Sequence, residues 1–180
     1  TIGTLILSDI ADKAVYNELL SYSDVYENVI FMSRNQSLSF DDMLFTCLNP
    51  VKNSGGLDGA NDYSLVFKMT YKEFDMLFTG DISERIEKEL VNISDCDVLK
   101  VAHHGSKNSS SEEFLNIVSP KIAVISAGQR NTYGHPHLET IERLKECGAG
   151  ILCTKDTGAI IISTDGHETR VGVKKRQSLF

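Results

Sequence analysis

Short apolar runs separated by polar turns set the rhythm of this chain. Thr4 to Leu7, Val29 to Met32 and Met43 to Leu48 each predict a strand, and the last halts at Asn49-Pro50, where proline cannot continue a ladder. Tyr63 to Tyr71 and Phe74 to Thr79 predict a hairpin turning at Lys72-Glu73. Asp97 to Ala102 is almost continuously apolar, as a strand buried on both faces should be. Ile122 to Ser126, Ile151 to Thr154, Ala159 to Ser163 and Thr169 to Val173 complete the strands, the last two joined by Asp165-Gly166. Helical spacing intervenes. Lys13 to Leu20 puts Val15, Tyr16, Leu19 and Leu20 on one face, and Ser83 caps a helix whose stripe is Ile86, Leu90 and Val91. Ser110 or Ser111 starts another that runs to Val118 before Pro120, and Leu138 to Cys147 ends at Gly148. Asn53 to Asn61, rich in Gly and Asn, is a loop. The alternation, with hairpins included, predicts a mixed α/β sandwich over 1–180, sheets inside and helices outside.

Composition bounds the function classes. With 180 residues, 41% hydrophobic and 24% charged, the chain can bury one sizeable core and is neither disordered, collagen-like nor a disulfide miniprotein. No apolar run approaches the roughly 20 residues that cross a bilayer, and no basic-then-apolar leader opens the chain. The opening Thr1-Ile2-Gly3, without Met, is what a fragment would show. The net charge of −7 argues against gripping nucleic acid by charge alone. It leaves room for phosphodiester chemistry in which metals supply the positive charge. Cys47, Cys96, Cys147 and Cys153 have no Cys-x-x-Cys spacing and sit in apolar surroundings, so they read as buried free thiols. The tail at Lys174-Lys175-Arg176 reads as a solvated end.

All five histidines lie in the second half. Three groups stand at the ends of apolar strands: Phe78-Thr79-Gly80-Asp81, then Leu99-Lys100-Val101-Ala102-His103-His104-Gly105-Ser106, then Asn131-Thr132-Tyr133-Gly134-His135-Pro136-His137. Strand ends hold functional groups rigidly while loops leave them exposed. Asp81 alone also reads as a carboxylate at the start of a helix. Adjacent imidazoles at His103 and His104 are harder to explain structurally, because both would need hydrogen-bond partners if buried. His135-Pro136-His137 alone would pass as a turn opening a helix, and His167 as an exposed hairpin residue.

Together these groups, with Asn61-Asp62-Tyr63-Ser64 before them, resemble the metallo-β-lactamase-fold domain of ComEC-type DNA-uptake competence proteins. The resemblance covers essentially the whole chain. His-His-Gly-Ser followed by Gly-His-Pro-His is its specific part; Thr-Gly-Asp alone would be weak. It implies an αββα sandwich and a hydrolase that cleaves phosphodiesters with two divalent metal ions, Zn or Mn. It further implies that Asp81 bridges the metals, that His104 binds one of them and that His103 faces the substrate. Asn131 and His135 border the same cleft and join His103 as catalytic candidates. The expected partners are DNA or another phosphodiester and a membrane channel domain in the same polypeptide, with this domain on the extracytoplasmic side.

One departure is large. The family's main metal motif, His-x-[His/Asp]-x-Asp-His, lies N-terminal to everything matched, yet no histidine occurs before His103. Leu7-Ser8-Asp9-Ile10-Ala11-Asp12 fits the segment after that motif. The chain therefore corresponds to an N-terminally incomplete domain, its C-terminal two-thirds or so. Two metals about 3.5–4 Å apart need ligands from both halves of the fold, so this chain alone should bind metal poorly, hydrolyse little and leave one sheet edge exposed or paired with another chain. The competing readings are a non-catalytic scaffold or binding module of the same fold and a related esterase for small phosphodiesters of the phosphorylcholine type.

Overall fold

The computed structural model describes residues 1–56 and 59–174. Its centre is a seven-stranded mixed sheet in the order β3-β4-β5-β6-β7-β8-β9. These strands are β3 (Ser37–Phe40), β4 (Met43–Asn49), β5 (Val66–Tyr71), β6 (Phe74–Phe78), β7 (Val98–Lys100), β8 (Ile122–Ile125) and β9 (Gly150–Cys153). From β3 to β6 neighbours run antiparallel; from β6 to β9 they run parallel. The parallel half points its C-terminal ends one way, and the histidine groups leave the sheet there.

Register and pleat explain the core. Leu77 pairs with Leu99, Leu99 with Ala123 and Ala123 with Ile151, one row across four strands. Because side chains alternate across a pleat, that row faces one way and packs with Ile82, Ile86, Phe114, Leu115, Val118 and Leu144. Those residues come from and around α2 (Glu84–Glu87), α3 (Glu112–Val118) and α4 (Leu138–Glu146). Val98, next to Leu99, is equally buried on the opposite face, so β7 is covered on both sides as its apolar run predicts.

Outside this sheet, β1 (Ile2–Ser8) and β2 (Tyr26–Met32) form a parallel pair, and β10 (Ala159–Thr164) and β11 (Thr169–Lys174) an antiparallel one. Among the described residues β1 pairs only with β2, and its first residues are exposed. The fold is mixed α/β, with helices on the central sheet.

Several local expectations are corrected. Lys13 to Leu20 is not an amphipathic helix on the core. It is a 3-10 turn at Lys13–Tyr16, capped by the Asp12 carboxylate, followed by one turn, α1 (Asn17–Leu20). Only part of its apolar stripe is covered: Tyr16 packs on Phe31, with ring centroids 5.9 Å apart, while Val15 is 62% exposed and Leu19 is exposed too. Ser83 does not cap α2 with its side chain; the carboxylate of Asp62 accepts the Ser83 N–H instead (3.0 Å). That helix lasts a single turn, and Val91 is exposed. β3 and the one-turn α5 (Thr154–Thr157) lay outside the sequence prediction. Ser111, of the two candidates, caps α3: its hydroxyl accepts the Phe114 N–H. Cys47, Cys96 and Cys153 are buried free thiols, Cys147 is half-buried, and burial pushes the Cys96 thiol up to about 12. Lys174 ends β11, while Lys175 and Arg176 lie outside the described residues.

Candidate metal and phosphodiester site

Three neighbouring parallel strands deliver the candidate residues. Asp81 follows β6, His103 and His104 follow β7, and Ser126 follows β8. Here the chain leaves the sheet in one crevice, the place where open α/β sheets gather ligands. Short bonds fix the exits relative to each other. The His103 N–H donates to the Gly80 carbonyl (3.2 Å), and the Asp81 N–H donates to the Ser64 hydroxyl (3.1 Å), which donates to the Asn61 carbonyl (2.6 Å).

His103 and His104 both adopt left-handed backbone conformations, φ 46° and 56°. For non-glycine residues such values are strained and cluster at functional sites. The strain turns the chain sharply enough for His104 to reach back across the strand ends. Its Nε2 lies 3.3 Å from Asp81 Oδ2, while its Nδ1 lies 2.7 Å from the Ser126 carbonyl oxygen. A carbonyl only accepts, so Nδ1 carries the hydrogen. In the neutral ring Nε2 is then a lone pair aimed at a carboxylate oxygen. Two electron-rich atoms so close call for a shared proton or a shared cation. A backbone carbonyl on the far nitrogen is the arrangement that orients metal-binding histidines.

The other histidines surround this pair. Ring centroids separate His103 from His104 by 6.3 Å, His103 from His135 by 5.5 Å and His104 from His135 by 6.2 Å. His103 Nε2 lies 3.4 Å from Asn61 Nδ2. His137 packs on His135 at 4.8 Å, and its Nδ1 accepts the Lys107 N–H (3.1 Å). Burial, then the neighbouring His137, His103 and His104, hold the His135 pKa below its ordinary value, with Asp81 acting the other way. The Asn131 side chain is engaged by its own loop. Its Oδ1 accepts the His135 N–H (2.7 Å) and its Nδ2 donates to the His135 carbonyl (2.8 Å), so it fixes the loop that carries His135. His167 is exposed on the β10–β11 turn, beside Glu73 and away from the cluster.

Lys100 went without a role in the sequence reading, although it sits inside the histidine motif. Its ammonium lies 3.9 Å from Asp81 Oδ1 and donates to the Gly80 (3.2 Å) and Val101 (3.0 Å) carbonyls. Burial pushes its pKa down, and Asp81 pulls it back. Beside Asp81 opens a cavity of about 780 Å³, lined among others by Ile10, Tyr16, Ser54, Asn61 and Ser64, within the size range of small-molecule sites.

The donor set tests the metal expectation. Among the described residues no three His, Cys, Asp or Glu side chains gather as a metal shell. A catalytic zinc takes about three protein ligands; Asp81 Oδ2 and His104 Nε2 are two donor atoms 3.3 Å apart. Two donors fall short of such a shell, so the described residues do not by themselves fit a complete metal site. No helix among the described residues is long and apolar enough to cross a membrane.

The sequence profile of the metallo-beta-lactamase superfamily matches residues 18–129. The chain is 36% identical over 132 residues to ComE operon protein 3 of Bacillus subtilis (strain 168), a match covering 72% of this chain and 17% of that protein. It is 34% identical over 121 residues to Recombination protein 2 of Haemophilus influenzae, covering 67% and 15%. It is 35% identical over 130 residues to Competence protein ComA of Neisseria gonorrhoeae, covering 69% and 18%. The match thus spans less than a fifth of each relative's length.

Proposed function

The chain belongs to the metallo-beta-lactamase superfamily, and we propose that within it residues 1–180 are the C-terminal two-thirds or so of a hydrolase domain that cleaves phosphodiesters during DNA uptake. Asp81 and His104 are two ligands of its divalent metal centre, and the remaining ligands come from sequence outside this chain. The observation that carries the reading is the His104 ring. Its Nδ1 is committed to the Ser126 carbonyl and its Nε2 faces Asp81 Oδ2 at 3.3 Å, a pair of donors waiting for a cation.

The chain's own residues divide the remaining work. Lys100 holds Asp81 at the β6 end with a fixed positive charge 3.9 Å away. His103 stands between Asn61 and His135, positioned to donate to a phosphate oxygen or a leaving group. His135, turned toward both neighbouring imidazoles, contributes a neutral ring to the same wall, and Asn131 keeps it there. Competence-related relatives support a DNA-uptake context, hence DNA as the substrate and a membrane-associated parent; the location of this domain outside the cytoplasm rests on the resemblance carried by the sequence motifs alone.

The ligand count favours a second reading, a scaffold module of the same fold, for any parent that supplies no further ligands. The experiment is turnover of bis(p-nitrophenyl) phosphate, a phosphorylcholine ester and single-stranded DNA. The protein should be extended upstream of Thr1 through its own coding sequence and assayed with Mn²⁺, with Zn²⁺ and with chelator. Chelator-sensitive cleavage of DNA is the expected result. Metal binding without cleavage would favour the scaffold, and cleavage confined to the choline ester would favour the small-diester esterase.

A further inference from the structure

Beyond the histidine cluster stands an aromatic ring that the hydrolytic reading does not use. Tyr133 stacks one face on His135, centroids 5.8 Å apart and planes 20° from parallel. The side chain is nevertheless 77% exposed, so its other face is open to solvent. The loop beneath it is not slack, because Asn131 bonds both the N–H and the carbonyl of His135. Tyr133 also lines a cavity of about 480 Å³ shared with His104, Ser126, Asn131, His135 and Thr154. That cavity opens next to the candidate cleft and is large enough for a nucleoside-sized group.

The chain carries a net charge of −7. Arg130 belongs to this loop by sequence, and the loop is tied to the backbones of Lys107 and Lys155, the former through His137 and the latter through Gln129. Among the described residues none of these three cations enters an ion pair. A rigid, open aromatic face on the rim of this cavity suits a ligand that carries a flat aromatic group of its own. Stacking on such a platform tolerates any base, because every base has a π-face.

We propose that Tyr133 and the cavity beside it form a base-stacking subsite that holds a nucleobase of a single-stranded oligonucleotide next to the scissile phosphate. The location rests on the phosphodiesterase reading, and the test does not. A single-stranded oligonucleotide containing 2-aminopurine is titrated into the chain in low salt with chelator present, and quenching of the base reports stacking. Wild type should quench the probe saturably. Tyr133→Phe should bind within about twofold of wild type, and Tyr133→Ala about tenfold or more weaker, within the range of one lost base–aromatic stack. An abasic oligonucleotide of equal length should bind wild type as weakly as the aminopurine probe binds Tyr133→Ala. Absence of quenching by wild type, or equal affinity of wild type and Tyr133→Ala, would overturn the subsite. Tyr133-dependent binding in a protein that proves to hydrolyse nothing would leave the subsite standing and remove the hydrolase reading. Chelator-sensitive hydrolysis with Tyr133-independent binding would do the reverse.

Discussion

Gly105 shows how little room the site leaves. Its φ is +83°, and a Cβ added there would fall 2.6 Å from Pro136 Cβ and 3.2 Å from Pro136 Cα. Its carbonyl accepts the His137 N–H (2.9 Å), so one residue joins the His103-His104 turn to the His135 loop. Gly105→Ala meets both a disfavoured backbone region and a backbone clash. It should lower stability by about 2–4 kcal/mol, read as a fall in the urea midpoint with an unchanged slope. An unaltered midpoint would mean that the two segments are not held together here. Gly80 is the matching joint at the β6 exit: φ is +56°, and an added Cβ would lie 2.6 Å from Ser64 Cβ. The two strained histidines between these joints keep their conformation because both sides are pinned.

At the scale of elements, the ends of β6, β7 and β8 opposite the site are tied through one carboxylate. Asp97 Oδ2 accepts the Asp75 N–H (2.8 Å), and Oδ1 accepts from the Lys121 ammonium (2.7 Å). Burial works against the charge, but Lys121 and the Asp75 N–H outweigh it, leaving Asp97 below the ordinary aspartate value. A depressed folded-state pKa means that the stabilisation is present above the unfolded value. It is lost as pH falls through the lower folded one. Asp97→Asn should therefore cost about 1 kcal/mol near neutral pH, since one partner, Lys121, is well exposed. The gap to wild type should close as urea titrations move from about pH 5 toward the pH at which Asp97 protonates. A gap that stays constant into acid would contradict the assignment. Legibility in the sequence followed burial at this scale. β5 to β8 could be read because buried strands carry dense apolar runs. β3 could not, because Ser37–Phe40 is a four-residue edge strand whose Phe40 is 63% exposed. α2 was overextended at its C-terminal end: it starts after Ser83 as expected but stops at Glu87, and Val91, read as part of its stripe, is exposed. The stripe at Lys13–Leu20 had the right period, but only Tyr16 finds an aromatic partner, Phe31, while Val15 and Leu19 stay exposed.

For the molecule as a whole, the sequence pointed to the site through a simple rule: polar groups that follow apolar strands meet at the sheet's C-terminal edge. That sufficed to bring Asp81 and His104 together across 23 positions (104 − 81). It could not reveal the partner that orients His104, because Ser126 contributes a backbone carbonyl, which leaves no trace in residue type. Nor could it separate Asn131, which shapes the loop, from the histidines that face the cleft. The central claim is that Asp81 and His104 are half of a metal centre whose other ligands lie outside residues 1–180. Titration calorimetry with Mn²⁺ tests it most directly. Three proteins are compared: the 180-residue chain, the form extended upstream of Thr1, and that form carrying Asp81→Asn, with circular dichroism confirming that all are folded. The account predicts weak binding to the short chain and tighter binding to the extended form. Asp81→Asn should weaken the latter by at least about tenfold, a difference of ~1.4 kcal/mol. Equal affinity of the extended form with and without Asp81→Asn, or a short chain that binds as tightly as the long one, would contradict it.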